Sequence, residues 1–421
     1  MQPRLARPIA VPMECEKITP GTGAYRRLCI AMLLAGISTF ALLYCTQPLM
    51  PFFSETYGVA AEEASLAVSL TTGPLAFVLL IAGKVSDRVG RRPLMIGSMM
   101  TAAALTSILG LLPSWESLLA VRFLCGLALA GVPAVAMAYI SEEVDDLAVG
   151  GAMGLYIAGS AIGGMSGRLL VSVLTEFFGW RDALGTTGIA ALVIGLAFWQ
   201  ILPHSRQFTP RHHSWPGYFG GFRRLFADKA LPWLFLEAFL IMGAFISIYN
   251  YAGYRLLAPP YALSQAQVGL IFLLYMLGSL SSAVAGHCSG KFGPRKCLWI
   301  PLVLFLLGMA LIGASPLPLV IAGIGIVTIA FFGAHAIASG WVGRRARSDR
   351  AQAAAGYLFF YYLGSSVLGS AGGYAWSWEG WNGVTVFVSL LVLIALAVSF
   401  RLYRVAPLAA PGGDTRPIPA E

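Results

Sequence analysis

The sequence predicts an all-α membrane protein, with twelve transmembrane helices in two six-helix pseudo-repeats. Three observations carry that prediction. Of 421 residues, 57% are hydrophobic and only 11% charged, whereas a water-soluble domain has about a quarter of its residues charged. The apolar residues gather into twelve runs, most of them close to the ~20 residues that cross a bilayer as helix. A short glycine-rich basic motif also occurs twice, 203 residues apart.

The runs lie near 27–49, 64–83, 94–112, 117–140, 151–173, 182–202, 232–255, 266–286, 297–314, 318–341, 354–375 and 384–402. Residues 1–26 form a basic tail without the apolar core of a cleavable signal, so the first run, preceded by Arg26 and Arg27, reads as an uncleaved span. The first six runs make one half, 27–202, and the last six the other, 231–402. Between them 203–230 is the longest polar interval, with Arg206, Arg211, His212, His213, Arg223 and Arg224, and reads as a linker. The Pro/Gly/Ala-rich stretch 403–421 is expected to be disordered.

The net charge of +9 would suit a nucleic-acid binder, but its distribution argues otherwise. All but four of the 28 Lys and Arg fall in the tails and in one alternating set of connections; the exceptions are Arg122, Arg168, Arg181 and Arg255. That asymmetry is the positive-inside pattern and puts both termini in the cytoplasm. Nucleic acid is thereby excluded as a partner, and a lipid bilayer is required. The six cysteines are scattered without metal-ligand spacing and read as small packing residues. His212-His213 has no third ligand beside it, so neither metal nor other cofactor is expected.

The basic motif is Gly83-Lys-Val-Ser-Asp-Arg-Val-Gly-Arg-Arg-Pro93, read as a tight polar loop between runs two and three. Gly83, Ser86, Arg88, Gly90 and Arg92 answer Gly286, Ser289, Lys291, Gly293 and Arg295, while Asp87 is replaced by Gly290. Three further pairs share nearly the same offset. Gly179-Trp180 matches Gly380-Trp381, Gly159-Ser160 matches Gly364-Ser365, and Gly131 matches Gly333. Four pairs at nearly one offset indicate a parallel repeat, as in transporters whose halves rock about a midplane site.

Twelve spans, a central linker, and the Gly83–Pro93 motif with its degenerate copy resemble the major facilitator superfamily over residues 27–402. Asn250–Arg255, Ala334–Trp341 and Tyr361–Ser366 resemble its YnfM-like branch of bacterial inner-membrane exporters. The resemblance implies alternating access, with Gly83, Asp87, Arg88, Gly90, Arg92 and Glu142 as a conformational latch. Asp87 would sit against the start of the eleventh span near Ala354, and Arg88 and Arg92 would pair with Glu142 or Glu143. Arg122 resembles the superfamily's arginine in the fourth span, which implies proton coupling; snorkelling to the surface is the plainer alternative, for it and for Arg168. Gly159, Gly163 and Gly164 resemble an antiporter signature with Ser160 in place of proline, or serve helix packing alone.

Glu237 is the one acid well inside a run, and His335 lies at comparable depth. A buried carboxyl can exchange protons, so Glu237, with His335, is the candidate proton site, against the plainer reading of interior hydrogen-bonding groups. Tyr44, Gln47, Asn250 and Tyr361 are candidate cavity contacts, against ordinary packing. With no P-loop and no catalytic cluster, an enzyme is not expected. The expectation is a monomeric, proton-coupled exporter of a small molecule in a bacterial inner membrane. An uptake symporter or facilitator is the first alternative, and a non-transporting sensor or scaffold the second.

Overall fold

The computed structural model describes residues 17–208, 215–346 and 349–406. Among the described residues there is no strand, and eleven helices are long and apolar enough to cross a membrane. In chain order they are α1 (Gly23–Tyr57), α2 (Leu66–Val89), α3 (Arg91–Leu111), α4 (Trp115–Glu143), α5 (Val149–Phe178), α6 (Trp180–Ile201), α7 (Leu231–Leu257), α8 (Gln265–Phe292), α9 (Pro294–Ile312) and α10 (Leu317–Arg345). The eleventh, Arg350–Tyr403, holds two spans joined where Glu379 and Gly380 leave helical geometry. With α11 as 350–378 and α12 as 381–403, the total is the expected twelve.

The repeated glycines have a common physical cause. Gly90, Gly293, Gly179 and Gly380 all sit at positive φ, at +98°, +88°, +82° and +55°. Glycine takes such a backbone without steric cost, so the chain can reverse there within a residue or two. Gly90 and Gly293 turn α2 into α3 and α8 into α9; Gly179 and Gly380 turn α5 into α6 and α11 into α12.

The basic motif is therefore not the loop that was expected. α2 runs helically to Val89 and α3 starts at Arg91, leaving Gly90 alone as the turn. Hydrophobicity ends near Gly83 because the bilayer ends there, but a helix can project past the lipid when its side chains reach water. The linker likewise contains a helix, Trp215–Ala227. Its far end is tied to the second half, since Arg345 donates to Asp228 at 2.7 Å and Arg224 to Asp349 at 2.6 Å. His212 and His213, most of the N-terminal tail and all but the start of the C-terminal tail lie outside the described residues.

Glycines also set the helix pairings within each half. A Cβ on Gly159 or Gly163 would collide with the backbone of Leu33 or Ile37 on α1, and one on Gly364 with Phe239 on α7. α5 thus lies against α1 as α11 lies against α7, at a closeness that larger residues forbid.

Candidate functional site

The two halves touch at one end and part at the other. At the end away from the basic motif, Gln47 Nε2 donates to Asn250 Oδ1 at 2.8 Å, and Ser54 lies 2.7 Å from the Tyr254 hydroxyl. Ser69 and Ser366 each donate to the other's carbonyl at 2.9 Å, and Gln265 donates to the Pro48 carbonyl. At the basic end a cavity of about 1410 Å³ opens between the halves. Asp87, Arg91 and Glu142 line one side of its mouth, and Arg350 and Gln352 the other. Deeper, its walls carry Phe40, Met137, Met242, Phe245 and Phe331, with Tyr44, Arg168, Tyr275, His335 and Tyr361 among them.

The motif's charges are arranged around Arg91 rather than Arg88 or Arg92. Arg91 donates to both Glu142 oxygens, at 3.2 and 2.9 Å, pairs with Asp87 at 2.8 Å, and reaches the Ser86 hydroxyl and the Gly83 carbonyl. Arg92 instead binds the carbonyls of Leu202 and Trp199, and Arg88 is exposed. Glu143 receives the backbone N–H groups of Arg206 and Gln207 from the linker. Because α2 is helical through the motif and α3 follows at once, the i,i+4 pair Asp87–Arg91 can form. That spacing was in the sequence, but a stretch read as loop gives it no meaning. Asp87 and Arg350 face the same mouth from opposite halves.

Arg122 does not snorkel. It is fully buried, with Nε on the Ala67 carbonyl at 2.8 Å, Nη1 on Leu42 at 3.1 Å and Nη2 on Leu43 at 2.8 Å. α1 breaks after Tyr44, where Pro48 lacks the N–H that would extend it. The last carbonyls of a helix lack partners, and Arg122 supplies them. No carboxylate lies within ion-pair distance of it among the described residues.

Arg168 is buried too, but sits at the closed end of the cavity. Its Nε donates to Gln47 Oε1 at 2.5 Å and its Nη1 to the Gly164 carbonyl. Its guanidinium carbon lies 4.2, 5.0 and 5.4 Å from the ring centroids of Tyr44, Tyr275 and Phe272. Gly164 therefore faces the cavity and Arg168, not the α1–α5 contact of Gly159 and Gly163.

Of the four expected cavity contacts, Tyr44 and Tyr361 line it. Gln47 and Asn250 do not. Both are buried in the bond that joins the halves, since neighbouring polar side chains satisfy each other when water is excluded. Tyr275 was missed, because nothing in the apolar run of α8 reveals which face it turns inward.

Glu237 is fully buried on α7, and neither carboxyl oxygen has a hydrogen-bond partner. Tyr357 on α11 is near enough to interact with it electrostatically. The Tyr357 hydroxyl lies 3.0 Å from His335 Nδ1, and His335 reaches the cavity wall. Glu237 thus lies near a Tyr357–His335 pair whose histidine lines the cavity, with no hydrogen bond joining the acid to that pair.

The family model described as Major Facilitator Superfamily matches residues 28–264 and 240–418. The inner membrane transport protein YnfM of Escherichia coli is 44% identical over 392 residues, 92% of this chain and 93% of that protein. The uncharacterized MFS-type transporter YybF of Bacillus subtilis is 41% identical, covering 92% and 96%. Among solved structures, an inward-facing, unoccupied bacterial homolog of the human lysosomal transporter Spinster superposes with TM-score 0.76 at 17% identity, over 91% of this chain and 98% of that one. The nucleoside transporter NupG superposes with TM-score 0.73 at 18% identity, over 89% and 98%. Family match, relatives and fold agree: the chain is a multi-pass membrane transporter, not an enzyme, and belongs to the YnfM-like branch of the major facilitator superfamily.

Proposed function

We propose that the protein is a monomeric, proton-coupled antiporter that exports a small molecule across a bacterial inner membrane, with Glu237 as its proton site. The observation that carries this reading is the Glu237 carboxyl, buried in a membrane span with both oxygens unpartnered. A carboxylate left so would cost several kcal/mol. The carboxyl is therefore neutral in this conformation and ionises only when water or a donor reaches it. Tyr357 and His335 supply a route by which its proton can leave into the cavity.

On this reading the basic end and both termini face the cytoplasm, as the distribution of Lys and Arg requires. The conformation is then inward-open, with the bonds around Gln47 and Asn250 as the closed outer gate. Asp87, Arg91, Glu142 and the turn at Gly90 are held within one half, poised to meet the start of α11 when the mouth shuts. Arg122 acts at a distance, by holding the broken end of α1 that carries Gln47. Measurement of the pH gradient in inverted vesicles tests the proposal. A transported compound should collapse the gradient in wild type and leave it intact in Glu237→Gln; equal collapse in both would sink the proton-site assignment.

A further inference from the structure

Arg168 is a buried cation with donors to spare. Of the five N–H donors of a guanidinium, its bonds to Gln47 and Gly164 occupy two. No carboxylate lies within ion-pair distance among the described residues. Three aromatic faces surround it, and the buried hydroxyl of Tyr275, one of those rings, has no hydrogen-bond partner. Ring quadrupoles offset part of the cost of burying such a charge, but its remaining N–H groups bond to no protein acceptor among the described residues. Arg122 shows the alternative, since its donors close on three carbonyls. The other charged groups on the cavity wall lie toward the mouth, where Asp87 and Glu142 are both held by Arg91. Between mouth and closed end the wall is largely apolar, with Phe40, Met242, Phe245 and Phe331.

We propose that Arg168 anchors the carboxylate of the transported solute, an amphipathic monoanion whose aromatic or aliphatic body lies along the cavity wall. Tyr275 adds a hydroxyl donor, and the rings of Tyr44 and Phe272 flank the headgroup. The anchor also reaches the gate. Arg168 holds Gln47 Oε1 while Gln47 holds Asn250 of the other half, so a carboxylate that draws the guanidinium away loosens the bond between the halves. This assignment rests on the cavity being the transport site, as proposed above.

The test is equilibrium binding to the purified full-length protein in detergent, with no gradient. The probes are phenylacetate and indole-3-acetate, their primary amides, phenethylamine and inorganic phosphate. Both carboxylates should bind, with the amides and the amine at least about tenfold weaker. Arg168→Gln should weaken carboxylate binding about 10- to 100-fold, Arg168→Lys less, and Tyr275→Phe only a few-fold. If Arg168→Gln does not yield folded protein, the lysine and phenylalanine variants decide, since one keeps the charge and the other the ring. Equal binding of acid and amide would overturn the proposal. So would undiminished binding by Arg168→Gln, phosphate binding as tightly as the aryl acids, or no carboxylate binding to wild type. Because no gradient is used, unaltered coupling in Glu237→Gln would remove the proton site and leave this result standing.

Discussion

The two halves share their turns and differ in their charges. Gly90 and Gly179 reverse the chain in the first half as Gly293 and Gly380 do in the second, and Gln47 meets Asn250, its counterpart 203 residues on. Charges inside the spans do not follow the repeat, although Arg88 and Arg92 of the motif still answer Lys291 and Arg295. At the equivalent offsets, Arg122 and Arg168 of the first half face Ile324 and Gly373 of the second, while Glu237 and His335 of the second face Leu34 and Pro133 of the first. The motif has been rearranged as well. Arg91 on α3 reaches Ser86 in the first half, whereas Arg344 on α10 reaches the matching Ser289, from the position where the first half has Glu142. Backbone geometry is thus common to both halves. The fully buried cations Arg122 and Arg168 stand on one half and the fully buried Glu237 on the other, a division that, on the function proposed above, would let solute and proton act on the same rocking motion from opposite sides.

The largest break in that comparison should come from Arg122→Ile, which gives the first half the residue of the second. Three buried carbonyls would lose a charged donor, at about 1.5–3 kcal/mol for each hydrogen bond, although Ala67 keeps Thr46 and Leu42 keeps Cys45. Thermal unfolding in detergent should fall steeply or the variant should fail to purify as a single species; unchanged stability would mean that the carbonyls find other partners. Gln47→Leu comes next. It removes two buried bonds, the one to Asn250 worth about 1 kcal/mol and the charged one from Arg168 about 1.5–3 kcal/mol, and should widen the far end as read by spin labels at Glu55 and Gln267. No change in that distance would remove Gln47 from the gate. Arg91→Gln should slow transport several-fold more than Arg344→Gln, because only Arg91 holds two acids; equal rates would erase the distinction between the motif copies. Gly290→Asp should do least. It restores the lost acid but faces Pro294 where Asp87 faces Arg91, so a clear effect on transport would mean a partner outside its own motif.

The linker adds a control on pH. Burial raises the Asp228 carboxyl, but Arg345 and the N–H groups of Ala230 and Leu231 outweigh it and hold it below its ordinary value of 3.8. A lowered value means that its stabilisation is complete above that pH and lost only as pH falls through the lowered one. Between about pH 5 and 8 this contact is constant. Any pH dependence of transport in that window has to come from other groups, first among them the proposed proton site Glu237.

The sequence was most informative where one physical constraint acts alone. A bilayer demands long apolar runs, and a reversal at positive φ demands glycine, so span number and repeat could both be read. Where two constraints compete, the reading slipped. Hydropathy ended α2 at Gly83 although the helix continues to Val89, and Arg91 was overlooked in favour of Arg88 and Arg92 for that reason. Gln47 and Asn250 were visible as polar groups within spans, but whether such a group faces a cavity or another helix depends on packing. Their equal offset could have marked them as mates across the pseudo-symmetry axis. Arg168 and Glu237 stood out because charge is rare in a span, while their surroundings, three rings for one and no partner for the other, come from helix register alone.

The division of labour is tested most directly by Glu237→Gln in proteoliposomes, once a transported solute is in hand. Glutamine keeps the shape of the side chain and removes the exchangeable proton. The variant should still exchange labelled for unlabelled solute at close to the wild-type rate, while a pH gradient should no longer drive accumulation. Gradient-driven accumulation at the wild-type level would contradict the account, because the proton would then be carried elsewhere.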